Sequence, residues 1–303
     1  MYTREMMTIP EGEGQVCLHI WKPAGEVKAL FQICHGMSEH LQRYDLFARF
    51  LNDHGFLVFG IDHPGHGLSE GIRGYFAHKH GWEYLTFCHV TANAKMQEQY
   101  PALPLILMGH SMGSFVARFM AAYYEECAKG YIFMGTAGPS PALRWGKILA
   151  QLGCLVGRKC KPSKLLHAMS IGSYAKAVPD RRTPYDWLSN RELTVESYIR
   201  DEGCGFTFTT GGFSALFSGL ISINKRKWAK SLDKTKSYIL ISGDWDPVGD
   251  RGQGVAKVYQ KMKRAGIENV TFKLYKGMRH EILNDDSFEE VCSDILAFAE
   301  GIL

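Results

Sequence analysis

The sequence has no apolar run long enough to cross a membrane. Of its 303 residues, 46% are hydrophobic and 22% are charged, which is ordinary for a globular protein. No stretch approaches the roughly 18 consecutive apolar residues of a transmembrane helix. The first ten residues also lack the apolar core of a secretory signal peptide. We therefore expect a cytoplasmic protein.

Patterns that favour nucleic-acid, metal or cofactor binding are also scarce. The formal net charge is only +4, and no basic stripe is interleaved with aromatic residues. The eight cysteines lack the C-x-x-C spacing of zinc sites and, in a reducing compartment, are most simply buried small apolar residues. His63 and His66 share a loop without a third ligand, and residues 252–254 lack the third glycine of a dinucleotide fingerprint. We predict no nucleic-acid partner, no metal and no cofactor.

The sequence does contain a serine motif at the end of an apolar strand. Residues 105–108 are apolar, residues 109–113 follow the pattern Gly-x-Ser-x-Gly, and apolar side chains then recur at helical spacing. At such a turn the serine backbone is strained and its hydroxyl is exposed at the end of the strand. Alone, the pattern also occurs by chance in ordinary turns. In this context it predicts that Ser111 is a nucleophile.

Strands and helices alternate on both sides of this motif. This alternation predicts an α/β fold with a mostly parallel, doubly wound sheet, covered by helices on both faces, whose sites form at the carboxyl ends of the strands. A turn is predicted at residues 11–14, and helices are predicted near 41–55, 81–100 and 252–265 and from residue 287. Strands are predicted at 3–9, 15–22, 27–34, 56–61, 105–108, 131–135, 237–242 and 270–275.

The alternation lapses between residues 139 and 227. This stretch is rich in glycine, proline, serine and aromatic residues. We interpret it as an inserted cap, which divides the core into residues 1–138 and 228–303.

A serine nucleophile needs a base and a third group that orients the base. In a sheet of this type these partners follow the serine as an acid and then a histidine. His167 lies inside the predicted cap, whereas His280 lies directly after the last predicted strand. We therefore predict that His280 is the general base.

The loop after the preceding strand offers three candidate acids. Asp244, Asp246 and Asp250 all lie within residues 242–250, and spacing alone does not choose among them. The oxyanion donors are expected to be two backbone N–H groups, that of Met112 after the serine and that of Met37 in the loop at 35–37.

Several motifs then occur in the order typical of one family. They are 35–40 (HGMSEH) with 43–44 (RY), 62–69 (DHPGHGLS), 109–113 (GHSMG), 243–248 (GDWDPV) and 277–281 (GMRHE). With them the chain resembles the α/β-hydrolases, and among these the monoacylglycerol lipase and lysophospholipase group, over nearly its whole length. The resemblance implies the α/β-hydrolase fold and selects Asp246 as the acid.

The resemblance further implies that Glu39 and Arg43 lie near the polar head of a monoacylglycerol. The alternative is that they form a local pair that organises the first turn of the following helix. Met37 departs from the family's lipases, which often have a small residue there. Its side chain is expected to narrow the cleft without removing the backbone donor.

The predicted cap contains a basic amphipathic segment. It could rest on an anionic lipid surface, or its apolar stripe could pack on the core while the basic residues are merely solvated. The apolar residues are Trp145, Ile148, Leu149, Leu152, Leu155 and Val156, and the basic ones are Arg144, Lys147, Arg158, Lys159, Lys161 and Lys164.

Together these patterns predict a serine carboxylic-ester hydrolase that acts on a single-chain lipid ester, either a monoacylglycerol or a lysophospholipid. A short-chain carboxylesterase and a serine aminopeptidase of the same fold are the alternative enzymes. A ligand-binding receptor on a hydrolase scaffold is the alternative outside enzymes. The sequence leaves the oligomeric state open.

Overall fold

A mostly parallel sheet lies at the centre of the fold. The structure, a computed structural model, describes residues 1–303 except Glu11, Glu13, Glu125 and Asp180. The predicted turn at 11–14 contains the first two of these and so lies partly outside the described residues. The strands are, in chain order, β1 (Tyr2–Thr8), β2 (Gln15–Trp21), β3 (Ala29–Cys34), β4 (Phe56–Ile61), β5 (Leu105–His110), β6 (Gly130–Met134), β7 (Ser237–Gly243) and β8 (Val270–Tyr275).

The pairing of these strands confirms the predicted sheet. Within the described residues, the strands lie side by side in the order β1-β2-β4-β3-β5-β6-β7-β8. Strand β2 pairs antiparallel with both β1 and β4. The remaining neighbours are parallel, so β3, β5, β7 and β8 all end at one edge of the sheet. That edge is where sites form in sheets of this type.

Helices follow most of the parallel strands. A single 3-10 turn (Leu41–Tyr44) precedes the first of them, and Gly55, with a φ of +88°, lies just after its end. The helices are α1 (Asp45–Asp53), α2 (Gly81–Gln99), α3 (Met112–Tyr123), α4 (Ala142–Gly153), α5 (Lys164–Met169), α6 (Ile171–Tyr174), α7 (Glu192–Arg200), α8 (Thr210–Ile223), α9 (Gln253–Arg264) and α10 (Phe288–Glu300).

The sheet is covered on both faces, as predicted. Buried residues of α1 and α10 form one apolar cluster with the sheet, and those of α2, α3 and α9 form a second cluster on the other face. Successive side chains of a strand point to opposite faces. Thus Ile106 and Met108 of β5 belong to the first cluster, while Leu105 and Leu107 belong to the second.

Between β6 and β7 the chain leaves the sheet and forms α4 to α8. Helix α8 packs against α2, α3 and α4. Gly146, which propensity alone would disfavour within a helix, lies in α4 where a larger side chain would press on the ring of Phe217 in α8. After α4 the helical path is interrupted at Gly157, whose φ is +78°. Among the described residues, no helix combines the length and apolar character that crossing a membrane requires.

Candidate active site

Ser111 occupies a strained turn between β5 and α3. Its φ of 52° and ψ of −120° lie outside the regions that L residues normally adopt. A Cβ atom on Gly109 would collide with the backbone of Gly113, and one on Gly113 would collide with the carbonyl group of Cys34. The two glycines therefore allow the strand and the helix to approach closely, and Ser111 is held at the tip of the turn.

Asp246 and His280 meet although they follow different strands. Asp246 is fully buried after β7, and its Oδ2 lies 2.9 Å from Nδ1 of His280, which follows β8. The backbone N–H of Val248 (2.8 Å) and the hydroxyl of Ser242 (3.2 Å) also donate to this carboxylate. Since a carboxylate only accepts, Nδ1 carries a hydrogen and the lone pair of the neutral ring is on Nε2.

His280 and Ser111 line the same cavity. The Nε2 atom of His280 is buried and has no hydrogen-bond partner within the described part of the chain. The ring centroids of His110 and Trp187 lie 4.7 Å and 5.1 Å from that of His280. These two rings restrict its orientation and leave Nε2 available for a partner in the cavity.

Two backbone N–H groups lie beside the serine. Met112 is the first residue of α3, where N–H groups have no acceptor within the helix. Met37 follows β3, and its N–H donates to no acceptor in the parts of the chain that are described. Both residues line the cavity together with Ser111. The arrangement can supply two donors to a negatively charged oxygen.

A chain of hydrogen bonds fixes the peptide group that carries the Met37 N–H. The backbone N–H of His63 donates to Nε2 of His35 (2.9 Å), so Nδ1 of His35 carries the hydrogen and donates to the carbonyl oxygen of Gly36 (2.8 Å). The C=O and N–H groups of a trans peptide point in opposite directions. His35 therefore sets the direction of the Met37 N–H.

This chain of hydrogen bonds extends through further buried side chains. His63 donates from Nε2 to the carbonyl oxygen of His35 (2.8 Å), so its Nδ1 accepts from Nε2 of His89 (2.8 Å). The Nδ1 of His89 lies 3.3 Å from the thiol of Cys34. Burial lowers the pKa of His35 well below its usual range and lowers the pKa of both His63 and His89 to about 3. These rings are neutral, as the hydrogen bonds require.

Glu39 and Arg43 belong to a buried ionic network at one end of the cavity. Arg43 forms an ion pair with Glu39 and donates two hydrogen bonds to Glu281, at 2.8 Å and 2.6 Å. Glu39 also accepts hydrogen bonds from the Tyr44 hydroxyl (2.9 Å) and from the backbone N–H of Gly36. Glu39 and Glu281 line the cavity, whereas Arg43 is not among its lining residues.

Charge within this network shifts the pKa values of its members. Burial alone would raise the pKa of Glu39, but Arg43 and the contacts with His110 outweigh it and hold that pKa well below the usual range. Burial alone would lower the pKa of His110, yet Glu39 and Glu281 raise it. Nε2 of His110 lies 3.3 Å from the carbonyl oxygen of His280. The network therefore contacts the backbone of the candidate base.

The cavity has a volume of about 610 Å³, within the range of ordinary ligand sites. The polar residues that line it include Ser111, His280 and the two glutamates. Apolar side chains from α3, α4, α5 and α8 form much of the rest of the lining. These include Phe115, Leu143, Leu166, Leu216, Phe217 and Leu220. The space can accept an extended apolar group with one polar end.

Two clusters of described residues contain the side-chain types that bind metals. Cys17, His19 and Asp62 form one, and His40, Asp201 and Cys204 form the other. In each cluster the histidine Nε2 already contacts the carboxylate, at 3.1 Å and 2.8 Å respectively. In each cluster the histidine and the aspartate therefore already form a pair with each other, which is a structural role for both residues.

Sequence analysis did not single out Glu281, Trp187 or the pairing of His35 with His63. Glu281 is the residue after the predicted base. This position in the motif was the one feature of the sequence that could have indicated a role for Glu281 in the site. Trp187 belongs to the stretch that sequence analysis interprets as a cap, whose path the strand and helix pattern does not define. The role of His35 depends on which ring nitrogen carries the hydrogen, and this is evident only once its neighbours are known.

Comparisons with known proteins show which proteins this chain resembles. A family model described as "Serine aminopeptidase, S33" matches residues 25–287. The chain is 30% identical to the "Monoglyceride lipase" of Homo sapiens over 274 residues, which cover 89% of this chain and 80% of that protein. It is 38% identical to the "Monoglyceride lipase homolog" of Monkeypox virus over 270 residues, covering 86% and 85%.

A solved structure is similar over almost the full length. The thermostable carboxyl esterase from Bacillus coagulans in complex with glycerol superposes with a TM-score of 0.94 at 30% identity, covering 99% of this chain and 98% of that chain. The family model spans most of the sequence, and the sheet is mostly parallel, as expected. The chain therefore belongs to the α/β-hydrolases, in the family described as serine aminopeptidase S33, and is a hydrolase similar to the monoglyceride lipases and carboxylesterases.

Proposed function

We propose that the protein is a serine carboxylic-ester hydrolase that cleaves a single-chain lipid ester through an acyl-enzyme. The observation that carries the proposal is the hydrogen bond from His280 to Asp246 beside a strained serine in one apolar cavity. In this proposal Ser111 is the nucleophile, His280 is the general base and Asp246 orients the imidazole.

In the first step, the lone pair on Nε2 of His280 takes the proton of the Ser111 hydroxyl while Oγ attacks the ester carbonyl carbon. The carbonyl oxygen becomes negatively charged and accepts hydrogen bonds from the N–H groups of Met37 and Met112. The bond from carbon to the alcohol oxygen then breaks, and that oxygen takes the proton from His280. The free alcohol leaves, and the acyl group remains on Ser111.

In the second step, His280 takes a proton from water as the water oxygen attacks the acyl carbon. The bond to Ser111 Oγ breaks, Oγ regains the proton from His280, and the fatty acid leaves. Throughout, Asp246 keeps the hydrogen on Nδ1 and stabilises the imidazolium without taking its proton.

The cavity supports a lipid substrate. Its apolar lining is suited to an acyl chain, and the wall that contains Glu39 and Glu281 is suited to a polar head. We propose that Arg43 acts from behind this wall by holding both carboxylates in place. Similarity to proteins named monoglyceride lipases favours a monoacylglycerol, with a lysophospholipid as the second candidate.

A substrate series tests this assignment against its enzyme alternatives. Initial rates are compared on aryl esters of increasing chain length, monoacylglycerols, lysophosphatidylcholine and amino-acid amides. We expect the highest kcat/KM on a long-chain monoacylglycerol. Preference for acetate esters would indicate a short-chain carboxylesterase, and preference for amides would indicate an aminopeptidase, the activity in the family's description.

A fluorophosphonate probe separates the hydrolase from a receptor on the same scaffold. We expect the probe to label the folded protein stoichiometrically and to label neither Ser111→Ala nor the heat-denatured protein. Ser114→Ala serves as the matched control, because Ser114 is a buried serine one turn away whose hydroxyl donates to the carbonyl oxygen of Ser111 (2.6 Å). Failure to label folded wild-type protein would favour the receptor.

We propose that the cap comprises residues 139–227 and that one of its faces rests on an anionic lipid surface. Trp145, Leu152, Leu155 and Val156 are between 55% and 83% exposed, so this apolar stripe does not pack on the core. An exposed apolar patch rimmed by basic side chains is typical of a membrane-contact surface. Ala142, Leu143 and Gly146 of the same helix line the cavity, so the proposed lipid surface and the cavity would share helix α4.

We further propose that the protein acts in the cytoplasm, as the sequence predicts. All eight cysteines lie in the described residues and are free. Free thiols in this number fit a reducing compartment.

A further inference from the structure

Arg118 is a buried cation that the proposed chemistry does not use. It lies in α3, two turns after Ser111, and its side chain has no exposed surface. Within the described residues, its guanidinium forms no ion pair with a carboxylate. Burying an unpaired charge is costly, so its other contacts require an explanation.

The guanidinium joins the two places where the chain enters and leaves the proposed cap. Nη1 donates to the carbonyl oxygen of Ala137 (2.8 Å) and to the hydroxyl of Thr136 (3.2 Å). Nη2 donates to the carbonyl oxygen of Ile223 (3.0 Å) and to the side-chain oxygen of Asn224 (3.3 Å). The planar guanidinium of Arg118 thus contacts two segments that are about 86 residues apart in sequence.

The end of α8 supplies negative potential in place of a carboxylate. The last carbonyl groups of a helix have no partner within it and carry partial negative charge. Arg118 contacts the carbonyl of Ile223, and Lys261 donates to those of Asn224 (2.8 Å) and Lys225 (2.6 Å). The ring of Trp228 lies 4.4 Å from the Arg118 guanidinium and adds a cation–π contact. Burial lowers the pKa of Arg118 to about 9, so it stays charged at neutral pH.

The residues that Arg118 contacts either line the cavity beside Ser111 or lie close in sequence to residues that do. Ala137 itself lines the cavity, and so do Leu216, Phe217 and Leu220 on α8. Leu220 lies one turn before Ile223. A shift of either clamped segment would therefore change the width of the apolar part of the cavity.

We propose that Arg118 is a positioning residue that fixes both ends of the cap and so sets the acyl-chain preference of the enzyme. The inference rests on the proposed ester hydrolysis for its kinetic consequence. The proposal also has a structural part, namely that Arg118 restrains residues 136–137 and 223–224. This part does not depend on which reaction the protein catalyses. Lysine at this position would keep the charge but lose the fork that reaches both segments.

The test compares Arg118→Met and Arg118→Lys with the wild-type protein on p-nitrophenyl acetate and p-nitrophenyl decanoate. We expect the ratio of kcat/KM for decanoate to that for acetate to fall about tenfold in Arg118→Met, which corresponds to ~1.4 kcal/mol. The change is expected mainly in KM for decanoate, and Arg118→Lys is expected to be intermediate. Amide hydrogen exchange near 136–143 and 219–227 is expected to accelerate in both variants.

Val291→Ala is the matched control for lost stability. Val291 is fully buried in α10 on the opposite face of the sheet, so its truncation lowers Tm without touching the cap. An unchanged decanoate-to-acetate ratio in both Arg118 variants, or an equal change in Val291→Ala at equal loss of Tm, would overturn the proposal. If Arg118→Met does not fold, the decanoate-to-acetate ratio of Arg118→Lys alone tests the proposal.

The exchange measurement separates this inference from the proposed function. If wild-type protein hydrolyses neither ester, the proposed function fails, and accelerated exchange at both ends of the cap still supports the clamp. If wild-type protein hydrolyses both esters and exchange at these segments is unchanged in the Arg118 variants, the clamp is wrong while the proposed function stands.

Discussion

The Oδ2 atom of Asp246 lies 2.9 Å from Nδ1 of His280 and joins the loop after β7 to the loop after β8. The other two candidate acids make different contacts. Asp244 accepts the backbone N–H of Gly277 at 2.7 Å, and Asp250 lies 3.9 Å from Lys257. Of these three carboxylates, that of Asp246 is the one that contacts His280, and it is the one that the family resemblance implies.

Asp246→Asn should lower kcat by about 10⁴, because an amide in this position favours the wrong tautomer of His280. Asp244→Asn is the matched control and should retain activity within a few-fold. Steady-state hydrolysis of p-nitrophenyl acetate measures both variants, with Tm as a check on folding. Equal losses in the two variants would mean that Asp246 acts only through stability.

His35→Phe should lower kcat by about 10²–10³ with little change in KM. The substitution removes the donor that holds the Gly36 carbonyl oxygen, so the Met37 N–H is no longer directed toward the oxyanion. His66→Phe is the control, since His66 is also buried and, within the described parts of the chain, its Nδ1 makes a hydrogen bond only with the carbonyl oxygen of Pro64. If both variants lose kcat alike, the effect belongs to packing of the histidine cluster and not to the oxyanion peptide.

Glu281→Gln should raise KM for a monoacylglycerol but not for the methyl ester of the same fatty acid. A carboxylate offers about four acceptor positions. Oε1 of Glu39 accepts from Gly36, Tyr44 and His110 and so holds the loop after β3. Among the described residues, Oε1 of Glu281 accepts only from Arg43 and retains a position for a donor of the head group.

Glu39→Gln is the paired variant for that experiment. It should lower kcat/KM for both esters by a similar factor, because Glu39 organises the loop from within. A selective rise in KM for the monoacylglycerol in Glu39→Gln alone would reverse the two roles and place the head group on Glu39.

Trp145→Ser combined with Leu155→Ser should weaken binding to vesicles that contain phosphatidylserine by at least tenfold. Burying each of these exposed side chains in a lipid interface is expected to stabilise binding by ~1.5–3 kcal/mol. Hydrolysis of soluble p-nitrophenyl acetate should be unaffected. Leu193→Ser is the control, because Leu193 is 71% exposed on α7 but lies outside the basic segment. Unaltered vesicle binding in the double variant would exclude the proposed surface.

Stability should fall as pH is lowered from about 6.5 toward 3. The pKa values of His35, His63, His66 and His89 are depressed in the folded state, so the unfolded chain binds protons first and the free energy of unfolding decreases. Each proton taken up contributes a slope of ~1.4 kcal/mol per pH unit. The pKa of His110 is raised in the folded state, so protonated His110 stabilises the fold at low pH. This contribution to the free energy of unfolding is lost as the pH rises through that raised pKa.

Urea denaturation at pH 7, 6 and 5 measures this slope. His66→Phe removes one of the four groups and should make the slope shallower by about one proton. Identical slopes in the variant and the wild-type protein would show that His66 is not protonated on unfolding in this range.

The sheet was predictable because buried parallel strands are continuous apolar runs. In β3 and β5 every residue is buried, and the strand signal is correspondingly strong. Ser111 could be singled out as a candidate because it directly follows such a strand, and His280 because it lies in the loop after the last predicted strand. The contact between Trp187 and His280 was not, because irregular cap segments are positioned by tertiary packing that leaves no periodic pattern in the sequence. Arg118 was hidden for a related reason, since an arginine within a helix is expected at the surface.

The backbone of Ser111 has a consequence for how such a chain can change over time. A φ of 52° with a ψ of −120° is a conformation that glycine adopts freely and serine does not. The native state therefore carries ~1–3 kcal/mol of strain at this one residue, which the surrounding fold must offset. A descendant released from selection for turnover could replace this serine with glycine and become more resistant to heat, so loss of activity and gain of thermal stability would arise from a single substitution.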